Sequence, residues 1–127
     1  MSDTTTRGIR IQVEPRYVPE QSDPRAGKYL FAYHITIENQ GRQTVQLLSR
    51  HWIITDGDGD KAEVKGAGVV GEQPRLAPGE RFHYTSACPL STPVGTMHGS
   101  FQMVTEDGQQ FDALIEPFRL ATPGALH

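Results

Sequence analysis

Gly66-Ala67-Gly68-Val69-Val70-Gly71-Glu72-Gln73-Pro74-Arg75-Leu76-Ala77-Pro78-Gly79 opens with the spacing GxGxxG and closes on two prolines. GxGxxG serves dinucleotides when a strand precedes it, a helix opens on it, and an acidic residue follows about 20 positions later. The helix presents its first amides and its positive dipole end to a pyrophosphate. Pro74 and Pro78 forbid that helix, because each lacks an amide donor and biases its predecessor away from the αR region. The glycines therefore bend a chain that runs between extended segments.

Outward from this bend the pattern is β. In Lys28 to Asn39, Tyr29, Phe31, Tyr33, Ile35 and Ile37 alternate with Leu30, Ala32, His34, Thr36 and Glu38, a period of two. Weaker alternation marks Ile9–Ile11–Val13, Phe82–Tyr84, Met97–Phe101–Met103 and Phe111–Ala113–Ile115. Between Val45 and Thr55 the clusters Val45-Gln46-Leu47-Leu48 and Trp52-Ile53-Ile54 fall out of phase, as a bulge or a strand break requires. Turns at Asn39-Gln40-Gly41, Asp56-Gly57-Asp58-Gly59, Ala77-Pro78-Gly79 and Glu106-Asp107-Gly108 punctuate these runs. The expectation is an all-β, antiparallel sandwich of seven or eight strands, spanning residues 9–120 as a single domain. Period two does not say which sheet a strand joins, so an open barrel stays as the alternative. Residues 14–27, rich in proline and charge, read as a long first loop, and residues 1–8 and 121–127 as flexible tails.

The bulk properties narrow the function classes. A chain of 127 residues supports one hydrophobic core. Twelve basic and 15 acidic residues are scattered in both signs for a net charge of −3, so nucleic acid and anionic membrane surfaces are poor partners. No apolar run approaches the roughly 20 residues of a membrane span. Cys88 is the only cysteine, which excludes an intrachain disulfide and suits a reducing, cytoplasmic setting.

Candidate sites are few. Consecutive amides in a glycine-rich turn form nests for phosphate without a helix, which nominates Gly66, Gly68 and Gly71, with charge from Arg75 and Lys65. The competing reading gives the glycines to a bend and to close approach of neighbouring backbone. Asp56-Gly57-Asp58-Gly59-Asp60 resembles the start of a calcium loop, but Lys61 holds the glycine position and Ala67 the place of the closing carboxylate. It reads as a hairpin tip. His34, His51, His83, His98 and His127 lack metal-ligand spacing, and His83, Cys88 and His98 converge only if their strands are neighbours. No metal or cofactor is assigned. Ser49, Ser86 and Ser91 sit in no nucleophile elbow, and nothing around Cys88 marks a catalytic cysteine. Arg50-His51-Trp52 is the candidate partner-binding segment, since Arg and Trp are enriched among interface hot spots. A core position for Trp52 is the competing reading, and its burial discriminates the two.

Taken together, Val45 to Gly57, Gly66 to Pro74, Leu76 to Gly79, Phe82 to Ser86, Gly95 to Met103 and Phe111 to Phe118 resemble the ApaG family over Ile9 to Leu120. The resemblance implies a fibronectin type III-like β-sandwich. It also implies an association with cobalt tolerance and magnesium efflux, and a setting beside a hydrolase of diadenosine tetraphosphate. Related eukaryotic domains look like partner-binding modules. The expected function is a non-catalytic cytoplasmic protein-binding module, monomeric or weakly dimeric, whose partner is another protein. The alternative is a pyrophosphate or nucleotide sensor using Gly66–Gly71. An enzyme acting on a phosphoanhydride is a third reading, which requires a metal and a base that the sequence does not display.

Overall fold

Alternation of apolar and polar side chains along nearly every segment leaves one face of each strand to be buried, and two sheets stacked face to face bury both. The computed structural model, which describes residues 1–125, has this arrangement. Its strands are β1 (Ser2–Thr6), β2 (Ile9–Tyr17), β3 (Tyr29–Asn39), β4 (Val45–Asp56), β5 (Lys61–Ala67), β6 (Arg75–Leu76), β7 (Arg81–Leu90), β8 (Val94–Thr105) and β9 (Gln110–Ala121). One sheet has the order β1-β2-β3-β7 and the other β5-β4-β8-β9, with β6 pairing β4 beyond the end of β5. Every pairing is antiparallel. The chain crosses between sheets from β3 to β4, back from β6 to β7 and again from β7 to β8, so the β3–β7 and β4–β8 pairs are non-local.

The core lies between the sheets. Ile9, Ile11, Val13, Phe31, Ile35 and Ile37 of the first sheet face Leu47, Trp52, Met97, Phe101, Met103 and Ile115 of the second, all buried. The phase slip in β4 is a bulge within a continuous strand, with the register to β8 shifting between Leu47 and Ser49. Leu48 is the extra residue that restores Trp52 to the inward face.

Three expectations change. Residues 1–8 are no flexible tail: Ser2–Thr6 pairs with β2 from Ser2↔Val13 to Thr6↔Ile9. The sequence hides this strand because it contributes no large apolar side chain. It docks through hydroxyls, with Thr6 Oγ1 and Thr4 Oγ1 accepting from the Leu114 and Glu116 amides at 3.2 and 3.3 Å. Residues 14–27 are not wholly loop either, since β2 continues through Pro15 to Tyr17. Proline is admitted because β1 ends its pairing at Val13, which leaves the rest of β2 an edge strand on that side. The remainder of that segment holds short 3-10 turns at Pro19–Gln21 and Pro24–Ala26. Nine strands result where seven or eight were expected. At the other end Ala121 still pairs with Val94, and the Thr122 amide donates to the Pro93 carbonyl at 3.0 Å. Residues 126 and 127 of the expected C-terminal tail, and with them His127, lie outside the described residues. Among the described residues no helix is long and apolar enough to cross a membrane.

Candidate functional site

The glycine segment leaves β5 and turns back at once. Val69 and Glu72 exchange two backbone hydrogen bonds of 2.8 and 2.9 Å across a two-residue tip, Val70-Gly71. Positive φ at both tip residues, 43° and 80°, is the mark of a type I′ turn. No helix follows; the chain passes through Pro74 into β6.

Each glycine of GxGxxG has a local cause. A Cβ on Gly66 would stand 2.8 Å from the Arg50 guanidinium, which lies across that position and donates from Nη1 to the Ala67 and Gly68 carbonyls at 3.1 and 3.0 Å. Gly68 combines φ of 63° with a Glu72 carbonyl 2.3 Å from where its Cβ would be. Gly71 supplies the second positive φ of the turn. Three amides of the segment are spoken for as well. Gly68 N donates to Leu48 O at 2.8 Å, and Val69 N and Glu72 N to one another's carbonyls. Gly66 sits in the β4–β5 ladder opposite Arg50. Arg75, the fourth residue of the candidate anion set, donates to Gln46 Oε1 at 3.1 Å on the β4–β6 pair.

Arg50, His51 and Trp52 do not form one patch. Strand alternation sends Trp52 inward, where it is 2% exposed and meets Tyr33, Phe101 and Phe118 with ring centroids 5.5, 6.2 and 5.9 Å away. Its burial removes it from any docking surface and assigns it to the core. Arg50 shares that inward phase and fastens the glycine segment from beneath. Half-buried Arg50 also lines a depression beside His51, which stands on the outer face.

There, register gathers residues that the sequence scatters. Lys65 pairs with His51, His51 with Ser100, and Ser100 with Leu114, so the four form a row across β5, β4, β8 and β9. Beside it Ser49 Oγ donates to Gln102 Oε1, and Gln102 Nε2 to Ser100 Oγ, both at 2.9 Å. Ser49, Arg50, His51, Lys65, Gly66 and Gln102 line a depression of about 300 Å³. His51 Nε2 lies 2.7 Å from Glu63 Oε2, and this hydrogen bond, then the Lys65 charge, holds the Glu63 carboxyl below its usual range. At the far end of the row Leu114 is 52% exposed. The face thus offers a cationic and hydrogen-bonding depression at one end and an exposed aliphatic side chain at the other. Ser100, Gln102 and Leu114 carry no motif of their own, and only the pairing register could have selected them.

The remaining candidates disperse. Asp56, Asp58 and Asp60 bring carboxylate oxygens within 4.8 Å of one another, but Asp56 Oδ1 accepts from the Asp58 and Asp60 amides at 2.9 and 3.0 Å, closing a hairpin tip. His83 and Cys88 lie on β7 and His98 on β8, in different sheets, so the three do not converge. Burial pushes the Cys88 thiol up to about 11, which keeps it protonated at neutral pH. His34 instead approaches His83, with ring centroids 5.5 Å apart, and bonds Thr85 through Nδ1.

Comparisons with known proteins agree over nearly the whole chain. The family model described as the ApaG domain matches residues 19–105. The protein ApaG of Pseudomonas aeruginosa is 60% identical over 127 residues, covering 100% of both chains. That of Azotobacter vinelandii is 60% identical over 119 residues, 94% of each. The crystal structure of an ApaA protein from Bordetella pertussis superposes with a TM-score of 0.91 at 52% identity, covering 96% of this chain and 99% of that one. The C-terminal domain of wzt shares the fold alone, with a TM-score of 0.57 at 12% identity over 98% of this chain and 79% of that one. By sequence and by fold alike, the chain belongs to the ApaG family.

Proposed function

We propose that this protein is a non-catalytic binding module that works in the cytoplasm and docks another protein on the outer face of its β5-β4-β8-β9 sheet. The row Lys65–His51–Ser100–Leu114 carries this reading. Outward positions of a solvated sheet are ordinarily polar, and an aliphatic side chain 52% exposed at one end of a row with a cationic depression at the other suits a mixed apolar and acidic partner surface. Influence on cobalt tolerance or magnesium efflux is then exerted through that partner, because a soluble sandwich provides no path for an ion across a bilayer. The nucleotide alternative loses support because the Gly68, Val69 and Glu72 amides already have backbone partners and no helix follows the glycines.

The test is partner capture with the wild-type chain beside Leu114→Lys and the double variant His51→Ala, Lys65→Ala. The expected result is a stoichiometric partner retained by the wild type and lost by both variants, with unchanged melting temperatures. A partner held equally by all three would remove this face from the function. Phosphate release from a panel of nucleotides is expected to be nil, and release would overturn the non-catalytic reading. In a deletion strain, metal tolerance is expected to return with the wild-type gene and not with Leu114→Lys.

A further inference from the structure

The sandwich manages its strand edges unequally. At one side β1 and β9 are tied together by the Thr4 and Thr6 hydroxyls, so neither edge is open to another chain. At the other side β7 ends its sheet but carries Pro89, which has no amide to offer. That leaves β5, which pairs only with β4, from Ser49↔Ala67 to Thr55↔Lys61, without a register shift. Every residue of β5 is exposed except Gly66, which is half-buried. A regular edge strand without proline or bulge is a template for pairing with another strand.

The sequence of this edge selects its occupant. We propose that β5 pairs with β5 of a second copy, antiparallel and centred on Val64, to join two β5-β4-β8-β9 sheets into one. Lys61-Ala62-Glu63-Val64-Lys65-Gly66-Ala67 reads as charge-complementary to itself about its middle residue. In this register Glu63 of each copy stands opposite Lys65 of the other, and the two-fold axis makes that ion pair twice. Val64, 39% exposed, meets its own counterpart, while Ala62 faces Gly66 and Lys61 faces Ala67 with no like charges opposed. Shifting the register by one residue would turn inward side chains against outward ones. Shifting it by two either way, centred on Glu63 or Lys65, loses the pairing of Glu63 with Lys65 and sets Glu63 or Lys65 against its own copy. The axis stands perpendicular to the joined sheet, so both docking rows face the same side.

Sedimentation velocity over a concentration series of the full chain tests this, and dimer formation is the expected result. Lys65→Glu places two Glu–Glu pairs across the axis and is expected to weaken the dimer by roughly tenfold or more. Exchanging the charges in Glu63→Lys, Lys65→Glu is expected to restore it. Independently, Val64→Cys is expected to give a disulfide-linked dimer under mild oxidation, and Ala62→Cys is not, since only position 64 meets itself; Cys88 is buried and does not interfere. A chain that stays monomeric at its highest soluble concentration overturns the proposal. A dimer indifferent to Lys65→Glu, or no cross-link at position 64, overturns it equally. Oligomeric state is read without the protein partner, so this outcome is distinct from that of the docking reading.

Discussion

Val70 is a β-branched residue held at φ of 43° at the tip of the glycine turn. Left-handed backbone costs an L-residue about 1–2 kcal/mol, and Asn tolerates it best among non-glycines. Val70→Asn gives the turn the Asn-Gly pair it prefers and is expected to raise stability by roughly 1 kcal/mol, read from the urea midpoint. The side chain lost is 56% exposed, so little packing is given up. Gly68→Ala is expected to act oppositely, because its Cβ cannot stand 2.3 Å from a backbone carbonyl. A loss on the order of 2 kcal/mol or more is the expected outcome in the same urea experiment. A nucleotide site would make Gly68 a ligand residue, whereas here it is needed for the turn to close at all. Trp52 illustrates the same division: truncation to Ala should cost about 3–5 kcal/mol through lost aromatic packing.

Ion pairs at the level of strands set the response to acid. Arg10 holds the Asp3 carboxyl low across the β1–β2 pair, Arg81 and then Gln40 hold Glu38 low on β3, and His51 does so for Glu63 on β5. In each case the folded carboxyl titrates below its unfolded counterpart, so in acid the unfolded chain binds more protons. The stability these groups contribute is complete above the unfolded values of 3.8 for Asp3 and 4.5 for Glu38 and Glu63, and is lost as pH falls through the folded values. Asp3 and Glu63 are exposed and Glu38 is half-buried at the surface, and salt screens such pairs. Urea unfolding from about pH 6 down to about pH 3 is expected to show a flat region followed by a decline, and added salt should flatten that decline. Glu63→Gln should remove part of it. A decline that begins near neutrality would point to other groups.

At the scale of the whole molecule, β1 is the element that closes one side of the sandwich. Removing residues 1–7 strips the pairing partner from β2 and the threonine hydroxyls from the backbone of β9. Two adjacent edges then lie open, which favours edge-to-edge association. The truncated chain is expected to melt at a lower temperature and to form concentration-dependent aggregates by light scattering. A truncation with unchanged melting behaviour would return the segment to the status of a tail. The β5 side behaves differently, because Glu63 and Lys65 give its edge one preferred register in place of indiscriminate pairing.

Side-chain alternation in Tyr29–Asn39 and its weaker echoes were enough to give the strands, and two prolines after the glycines were enough to forbid a dinucleotide helix, since both are properties of neighbouring residues. The phase slip before Trp52 announced the bulge for the same reason. β1 and β5 left no such mark, because an edge strand held by hydroxyls or exposed along its length needs no apolar period. The split of Arg50 and Trp52 from His51 follows from alternation once β4 is known to have one buried face. The row from Lys65 to Leu114 is different in kind: its members lie up to 63 positions apart, from His51 to Leu114, and meet only through the registers of three strand pairs. Register is fixed by packing of the core and closure of the turns, which are non-local energies, and so the fold had to exist before the face did.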